Sequence, residues 1–513
     1  MSIVDLRSYD EIIREFSWAR LWELFDGNEA QMNLTHECID RHRSRGTAVS
    51  VKFADGHSEH YDFGELSDLT GRFANWLARR GIVKGDRIAV IVDPSRAFYV
   101  GMFGAMKYGA IAVPLFTLFG PEGLALRIND CTPRLILTQS ESRALSTQFP
   151  DAQVVGIDEA FWAELAAEHA GFTPTTASTD LALFQYTSGT TRELPEAVRH
   201  THRAVVTLMV AALYGVGLRP GDRYFCPSSP AWGHGLAHGT ISPLALGIHT
   251  ASYSGKFEAA RIFEALQDFA VSNVAAAPTV FRMLRNSSLR DHYRIDLRKL
   301  SYTGEPMDGE TMAWIERAFG VVPCSMYGTT EVGVLIVNYP GLDGYRVKPG
   351  SLGKPAPGVD VAIVDESGHE LPPSQTGEIA VRRKRGWFHV KDRGYRDADG
   401  YFYIEGRSDD VIISAGWTMS AVEIENTLVK HPAVLEAAVV AAPDPVRGQV
   451  AKAYVVARRS YPGLVEDIQT FMKSNLAKHE YPRQIELVDE LPRTPGGKIN
   501  RKALRDRARS HLE

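Results

Sequence analysis

Apolar residues recur along the chain first at helical and then at strand spacing, and the alternation predicts a layered α/β architecture. From Glu65, the positions Leu66, Leu69, Phe73 and Leu77 return every three or four residues, with Gly81 standing where a helix ends. Short apolar runs at Ile88–Val92, Ala110–Leu115 and Arg134–Thr138 read as buried strands, separated by helices over Ala97–Tyr108 and from Pro121. Strand, helix, strand at this pitch implies a parallel sheet with helices on its faces. The pattern continues with helices over Val205–Tyr214, Phe257–Ala270 and Gly309–Phe319, and with strands at Leu181–Tyr186, Asn273–Ala277 and Val321–Met326. Residues 1–60 offer little chemistry, and Asp26–Asn33 reads as a loop. After Gly333 the runs shorten and alternate between Gly and Pro, as in Val359–Val364 and Glu378–Arg382, which predicts a small β subdomain. A boundary near Gly406 separates a large α/β domain of parallel-rich sheets, 1–406, from a small α+β C-terminal domain, 407–513.

Composition narrows the function classes without choosing one. With 44% hydrophobic and 23% charged residues over 513 positions, this is an ordinary globular chain with a sizeable core. A net charge of −5 gives no reason to expect nucleic acid or an anionic membrane as partner. The four cysteines, Cys38, Cys131, Cys226 and Cys324, lack C-x-x-C spacing, which argues against a zinc site or a disulfide framework. The opening residues, with Asp5, Arg7, Asp10 and Glu11, hold no signal-peptide apolar core, and no apolar run reaches the roughly 18 residues of a membrane span. A soluble cytoplasmic protein is expected.

The candidate chemistry begins just after the strand-like run Leu181–Tyr186. Thr187, Ser188, Gly189, Thr190 and Thr191 place four hydroxyls and a glycine in five residues, a composition that can surround phosphate oxygens but that also suits a solvated loop. The stretch is not a Gly-x4-Gly-Lys-Ser/Thr P-loop. Further on stand Gly304-Glu305-Pro306, Tyr327-Gly328-Thr329-Thr330-Glu331, Asp392, Gly406-Arg407-Ser408-Asp409-Asp410 and Pro492-Arg-Thr-Pro-Gly-Gly-Lys498. In this order and spacing the set resembles the adenylate-forming (ANL) superfamily of acyl-CoA synthetases, carrier-protein adenylation domains and luciferases. The stretch from Trp232 to Asp365 is most similar to the medium-chain and aryl acyl-CoA synthetase branch.

The resemblance implies roles for each piece. The turn Gly304-Glu305-Pro306 and the ring of Tyr327 would lie against adenine, with Gly328 and Thr329 beside them. Glu331 would hold Mg2+ with Thr330 next to it, a carboxylate being a natural ligand for a hard cation on phosphates. Asp392 would accept the ribose hydroxyls and Arg407 would donate to ribose or phosphate, although Lys391 stands where the family has glycine. Asp409 matches a hinge before a mobile C-terminal domain. Gly416 and Trp417 fall in the loop lining a pantetheine tunnel, and Arg447 could meet CoA phosphates. Lys498 matches the lysine that stabilises charge during acyl-adenylate formation. Trp232, Gly233, His234, Phe281, Gly328 and Gly333 would shape the acyl pocket. Acetate-specific members carry tryptophan where Gly328 stands, so the resemblance implies a bulky hydrophobic or cyclic acid. ATP or acyl-AMP, CoA and Mg2+ are the implied cofactors and substrates, and a homodimer is compatible with the family.

One stretch departs from the family. After Thr-Ser-Gly-Thr-Thr the pattern is Gly-x-Pro-Lys-Gly-Val, whereas here Arg192-Glu193-Leu194-Pro195-Glu196-Ala197-Val198 follows. One residue is inserted, both glycines are lost, and Glu196 replaces the lysine. A unit pair at ~5 Å and an effective dielectric of ~20 repels by about 3 kcal/mol, before screening. Arg192 offers a partial replacement for the lost cation. The loop serves the β- and γ-phosphates of ATP, which an acyl-adenylate lacks, so adenylation is expected to be impaired and thioesterification retained. On that reading a separate adenylating enzyme would supply the acyl-adenylate. An ordinary two-step ATP-dependent synthetase remains the alternative, and a non-catalytic acyl-AMP or nucleotide-binding protein a minor one. The loop also loosely resembles that of an acyl-CoA ligase of bacterial diterpenoid antibiotic biosynthesis, within secondary metabolism.

Overall fold

Strand runs with apolar residues on both faces must be covered on both sides, and the first compact unit supplies a six-stranded sheet and six strands of a nine-stranded one. The computed structural model describes residues 2–117, 119, 121–139, 142–186, 197–329, 332–407, 412–414, 417–419, 421–444, 448–476, 481–494 and 499–510. One sheet has the order Gln153–Gly156, Leu135–Thr138, Arg87–Ile91, Ile111–Pro114, Leu181–Tyr186, Ala197–Thr201. The six strands in the other have the order Lys299–Tyr302, Asn273–Ala276, Arg223–Phe225, His249–Ser254, Thr47–Phe53, Ser58–Asp62. Every pairing within these two sets of six is parallel except the last of each, where a hairpin closes the edge. The helix expected from Glu65 spans Phe63–Arg79 and buries Leu66, Phe73, Trp76 and Leu77 on one face. The helix expected to stop at Gly109 runs Arg96–Tyr108, and Gly109 ends it at φ +95°, a conformation costly for a side-chain-bearing residue.

One expected helix is interrupted. Val205–Tyr214 is α-helical only over Ala204–Val210, then widens to a π-helical turn at Ala211–Gly215, where the Val216 N–H reaches back five residues to Ala211 O. The widened turn lets Leu213 and Tyr214 both be buried, which a 3.6-residue repeat does not foresee.

The second unit comprises Gly304–Trp314, Ser325–Asn338 and Arg346–Glu513. It contains the expected β region, an antiparallel sheet of Val361–Val364, Gly377–Arg383, Gly386–Arg396 and Phe402–Arg407. It also contains a C-terminal sheet in which Val434–Asp444 pairs antiparallel and Gln484–Leu487 parallel with Gly448–Ala457. Alternation along Val434–Asp444 feeds two cores. Val439 joins Ile424, Leu428, Ile468 and Met472 on one face, while Ala438 and Val440 join Tyr454, Leu504 and Ala508 on the other. All four cysteines are free and buried. No helix among the described residues is long and apolar enough to cross a membrane.

Candidate active site

In the first unit several candidates follow the carboxyl ends of parallel strands, where open α/β sheets bind their ligands. Strand Leu181–Tyr186 leads into residues 187–196, and the return strand begins with Ala197 paired to Tyr186 and Val198 to Gln185. Thr187, Ser188, Gly189, Thr190, Thr191, Arg192 and Glu196 lie outside the described residues. The base of this hairpin is held by side chains. The Tyr186 hydroxyl donates to Asp130 at 2.5 Å, and His200 meets Gln185 Oε1 through Nε2 at 3.1 Å.

His202, just past the return strand, is fully buried and accepts the Leu34 N–H on Nδ1 at 3.0 Å. Burial pulls its pKa down to about 4, with Asp180 opposing the shift. Burial likewise lowers His42 and His249 to about 4. Unfolded histidines take up a proton near pH 6.5, whereas these stay neutral to about 4, so the unfolded state binds more protons between those values. Stability is therefore expected to be full above about pH 6.5 and to fall as pH drops toward 4. Urea midpoints recorded across that window check this; a flat profile would contradict it.

Three neighbouring parallel strands feed the next candidates. Arg223–Phe225 leads to Trp232, Gly233 and His234, Asn273–Ala276 to Phe281, and Lys299–Tyr302 to the turn at Gly304. Trp232, Gly233 and His234 are partly exposed at the start of a π-helical segment, His234–Ile241, that sequence periodicity did not reveal. The Ser242 N–H closes it onto Ala237 O, five residues back. Residues four and five apart share a face of such a helix. Accordingly Gly233, His234, Ala237 and His238 are partly exposed together, while Gly235, Leu236, Gly239 and Thr240 are buried. A Cβ at Gly235 would stand 2.2 Å from Ser229 O, and one at Gly233 would stand 2.5 Å from Gln185 Nε2. The exposed face thus begins beside the end of strand Leu181–Tyr186. His238 was missed in the sequence; its Nδ1 is buried with no hydrogen-bond partner among the described residues. Such an orphan costs about 1–3 kcal/mol. Phe281, by contrast, is only 2% exposed and packs as core.

In the second unit the Tyr327 hydroxyl donates to Asp392 Oδ2 at 2.5 Å. Asp392 is only 6% exposed and pairs in register with Arg407 across the strands Gly386–Arg396 and Phe402–Arg407. Irregular register at Arg393/Gly394 and at Glu378/Ala380 brackets it, the local bending common where strands aim a side chain at a ligand. Lys391 has φ +63°, in the left-handed region where a glycine costs least, and its N–H donates to Glu378 Oε1 at 2.9 Å. Gly304 turns at φ +97°, with Glu305 partly buried and Pro306 exposed after it.

Gly328 is under a local steric constraint that its sequence did not suggest. A Cβ there would stand 2.2 Å from Gly333 O, across the hairpin of Cys324–Thr329 and Gly333–Val337. The hairpin's own packing therefore constrains this position as well. Gly333 itself is exposed at φ +78°. Thr330, Glu331, Asp409, Gly416, Arg447 and Lys498, and the side chains of Arg407 and Trp417, lie outside the described residues.

A nucleotide fits the described part of this set. Asp392 supplies an acceptor suited to ribose hydroxyls, Tyr327 an aromatic face, and Thr329 a buried hydroxyl oxygen with no partner among the described residues. No group of three or more metal-ligating side chains occurs among the described residues.

Comparison with known proteins gives the same picture. The family described as AMP-binding enzyme matches residues 39–388, and the AMP-binding enzyme C-terminal domain matches residues 423–498. The chain is similar to the acetyl-coenzyme A synthetase of Bacillus subtilis, at 33% identity over 98% of this chain and 95% of that protein. Among solved structures it is similar to an acyl-CoA synthetase of Brucella canis, with TM-score 0.76, 31% identity and coverage of 99% of this chain and 100% of that one. It is also similar to the anthranilate CoA ligase AuaEII in complex with anthranoyl-AMP, with TM-score 0.85, 25% identity and coverage of 97% and 100%.

Proposed function

The chain belongs to the AMP-binding enzyme family and is an acid–thiol ligase of the acyl-CoA synthetase kind; on that premise we propose that its main reaction is acyl transfer from an acyl-adenylate to CoA. Ligases of this kind use ATP, CoA and Mg2+. In the proposed reaction the CoA sulfur bonds to the acyl carbonyl carbon and the bond from that carbon to the adenylate oxygen breaks. AMP leaves and the thiol proton passes to solvent. Asp392 would hold the ribose hydroxyls and Tyr327 the adenine face, while Gly416 and Trp417 would line the way for pantetheine.

The observation that carries the proposal is the contrast between the phosphate stretch and the nucleoside-holding pair. Residues 192–197 replace the family's glycines and lysine with bulkier residues and with Glu196, whereas the Tyr327–Asp392 pair is built and satisfied. Charge at Glu196 opposes a triphosphate and leaves the single, singly charged phosphate of an acyl-adenylate far less affected. A piece from residue 407 onward would rotate about Asp409 between the two half-reactions.

A two-step ATP-dependent synthetase is the second reading. It is favoured by full-length similarity to proteins named as synthetases and by Lys498, which thioesterification has no use for. The test is to supply ATP, Mg2+ and a carboxylic acid in one reaction and the synthetic acyl-adenylate with CoA in another. For the acyl group we propose a bulky hydrophobic or cyclic acid. The partly exposed wall at Trp232, Gly233 and His234 and similarity to a protein named as an anthranilate CoA ligase support this. Turnover limited to acetate and propionate would contradict it.

A further inference from the structure

Two imidazoles share the partly exposed face of the π-helical segment His234–Ile241. The rings of His234 and His238 lie 5.6 Å apart between centroids, tilted by 54°. The segment cannot roll to turn them away, because its opposite face is held where Gly235 and Gly239 press on Ser228, Ser229 and Cys226 too closely for any Cβ. We propose that His238 is a specificity-determining residue of the acyl site, selecting carboxylic acids whose carbon skeleton carries a hydroxyl, amino or keto group able to hydrogen-bond an imidazole. The proposal rests on the reading of this chain as an acyl-CoA ligase.

Three observations support it together. First, position: Gly233, on the same face, abuts Gln185, the residue before Tyr186, so the face begins at the strand end that leads to residues 187–196. An acyl group awaiting transfer must lie near that end, because its carboxyl carbon is joined to the phosphate. Second, exposure: His238 is partly exposed although Leu236, Gly239 and Thr240 around it are buried, so it borders open space instead of filling core. Third, an unmet need: its Nδ1 is buried and has no hydrogen-bond partner among the described residues. Burial, with His234 adding to it, holds the pKa down to about 3, so the ring is neutral near pH 7 and offers one donor and one acceptor. No substrate group reaches the buried Nδ1, so a polar substituent would meet the ring at Nε2, whereas a plain hydrocarbon packed there would leave that nitrogen unpaired. Sites built this way reject analogues that lack the matching group far more strongly than apolar pockets reject a missing methylene.

The experiment measures CoA-dependent thioester formation from four synthetic adenylates: those of benzoate and para-hydroxybenzoate, and those of cyclohexanecarboxylate and its ring-hydroxylated counterpart. The native protein is expected to favour the hydroxylated member of at least one pair by about tenfold or more in kcat/KM. His238→Leu is expected to lower that ratio about tenfold, and His238→Gln, which keeps a donor and an acceptor, to preserve most of it. A native ratio near one in both pairs, or a ratio that His238→Leu leaves in place, would overturn the inference while leaving the ligase reading intact. Absence of thioester from all four adenylates would overturn the ligase reading instead, and this inference with it.

Discussion

Replacing Glu196 by glutamine is expected to raise ATP-dependent adenylate formation by roughly ten- to a hundredfold. Removing a repulsion of about 3 kcal/mol corresponds to about a hundredfold in rate at most, and screening by solvent and Mg2+ brings the lower figure. Pyrophosphate release with ATP, Mg2+ and a carboxylic acid measures it. Thioester formation from a supplied acyl-adenylate should respond far less, because the β- and γ-phosphates are absent there. Glu196→Lys should exceed Glu196→Gln, since it adds an attraction as well as removing the repulsion. Equal pyrophosphate release from native protein and both variants would show that residue 196 does not sense the triphosphate.

Asp392→Ala should weaken both half-reactions instead of one. A carboxylate accepting hydrogen bonds contributes about 1.5–3 kcal/mol per bond, and two ribose hydroxyls lost together correspond to about two to four orders of magnitude in kcat/KM. The same change strips the partly buried Tyr327 hydroxyl of the acceptor it meets at 2.5 Å, so a lower thermal midpoint is expected alongside. Tyr327→Phe leaves the carboxylate in place and should cost no more than about tenfold. Loss confined to the ATP-dependent step would place Asp392 on the terminal phosphates and contradict its assignment to the ribose.

Elements whose apolar spacing matches one repeat were legible in the chain. Gly309–Phe319 and Leu181–Tyr186 form where their patterns place them, and Arg96–Tyr108 begins one residue earlier than its pattern suggests. The strands Thr47–Phe53, Arg223–Phe225 and His249–Ser254 were not legible, because Ser, Lys, Arg and His interrupt their apolar runs while tertiary cover buries most of those residues. The π-helical segment at His234–Ile241 was equally hidden. Its repeat lies between those of helix and coil, and four glycines within Gly233–Gly247 read locally as turn, although Gly235 and Gly239 mark close backbone packing. His238 was overlooked for that reason.

The motifs around Tyr327 and Asp392 were readable because each is short and contiguous. What could not be read was why particular residues stand there. Lys391 looked like a loss of glycine, and its φ of +63° shows that the left-handed backbone is kept at some strain. Gly328 looked like a report on acyl size alone, and a Cβ there would also meet Gly333 across the hairpin. In both cases a backbone constraint, invisible in a list of residues, adds to the meaning.

The most direct measurement compares two rates in the native protein with the same acyl group: pyrophosphate release from ATP and the free acid, and CoA thioester formation from the acyl-adenylate. Thioester formation faster by about a hundredfold or more, the ratio set by the charge and bulk at residues 192–197, is the expected result. Pyrophosphate release as fast as thioester formation would contradict it and make this a two-step synthetase.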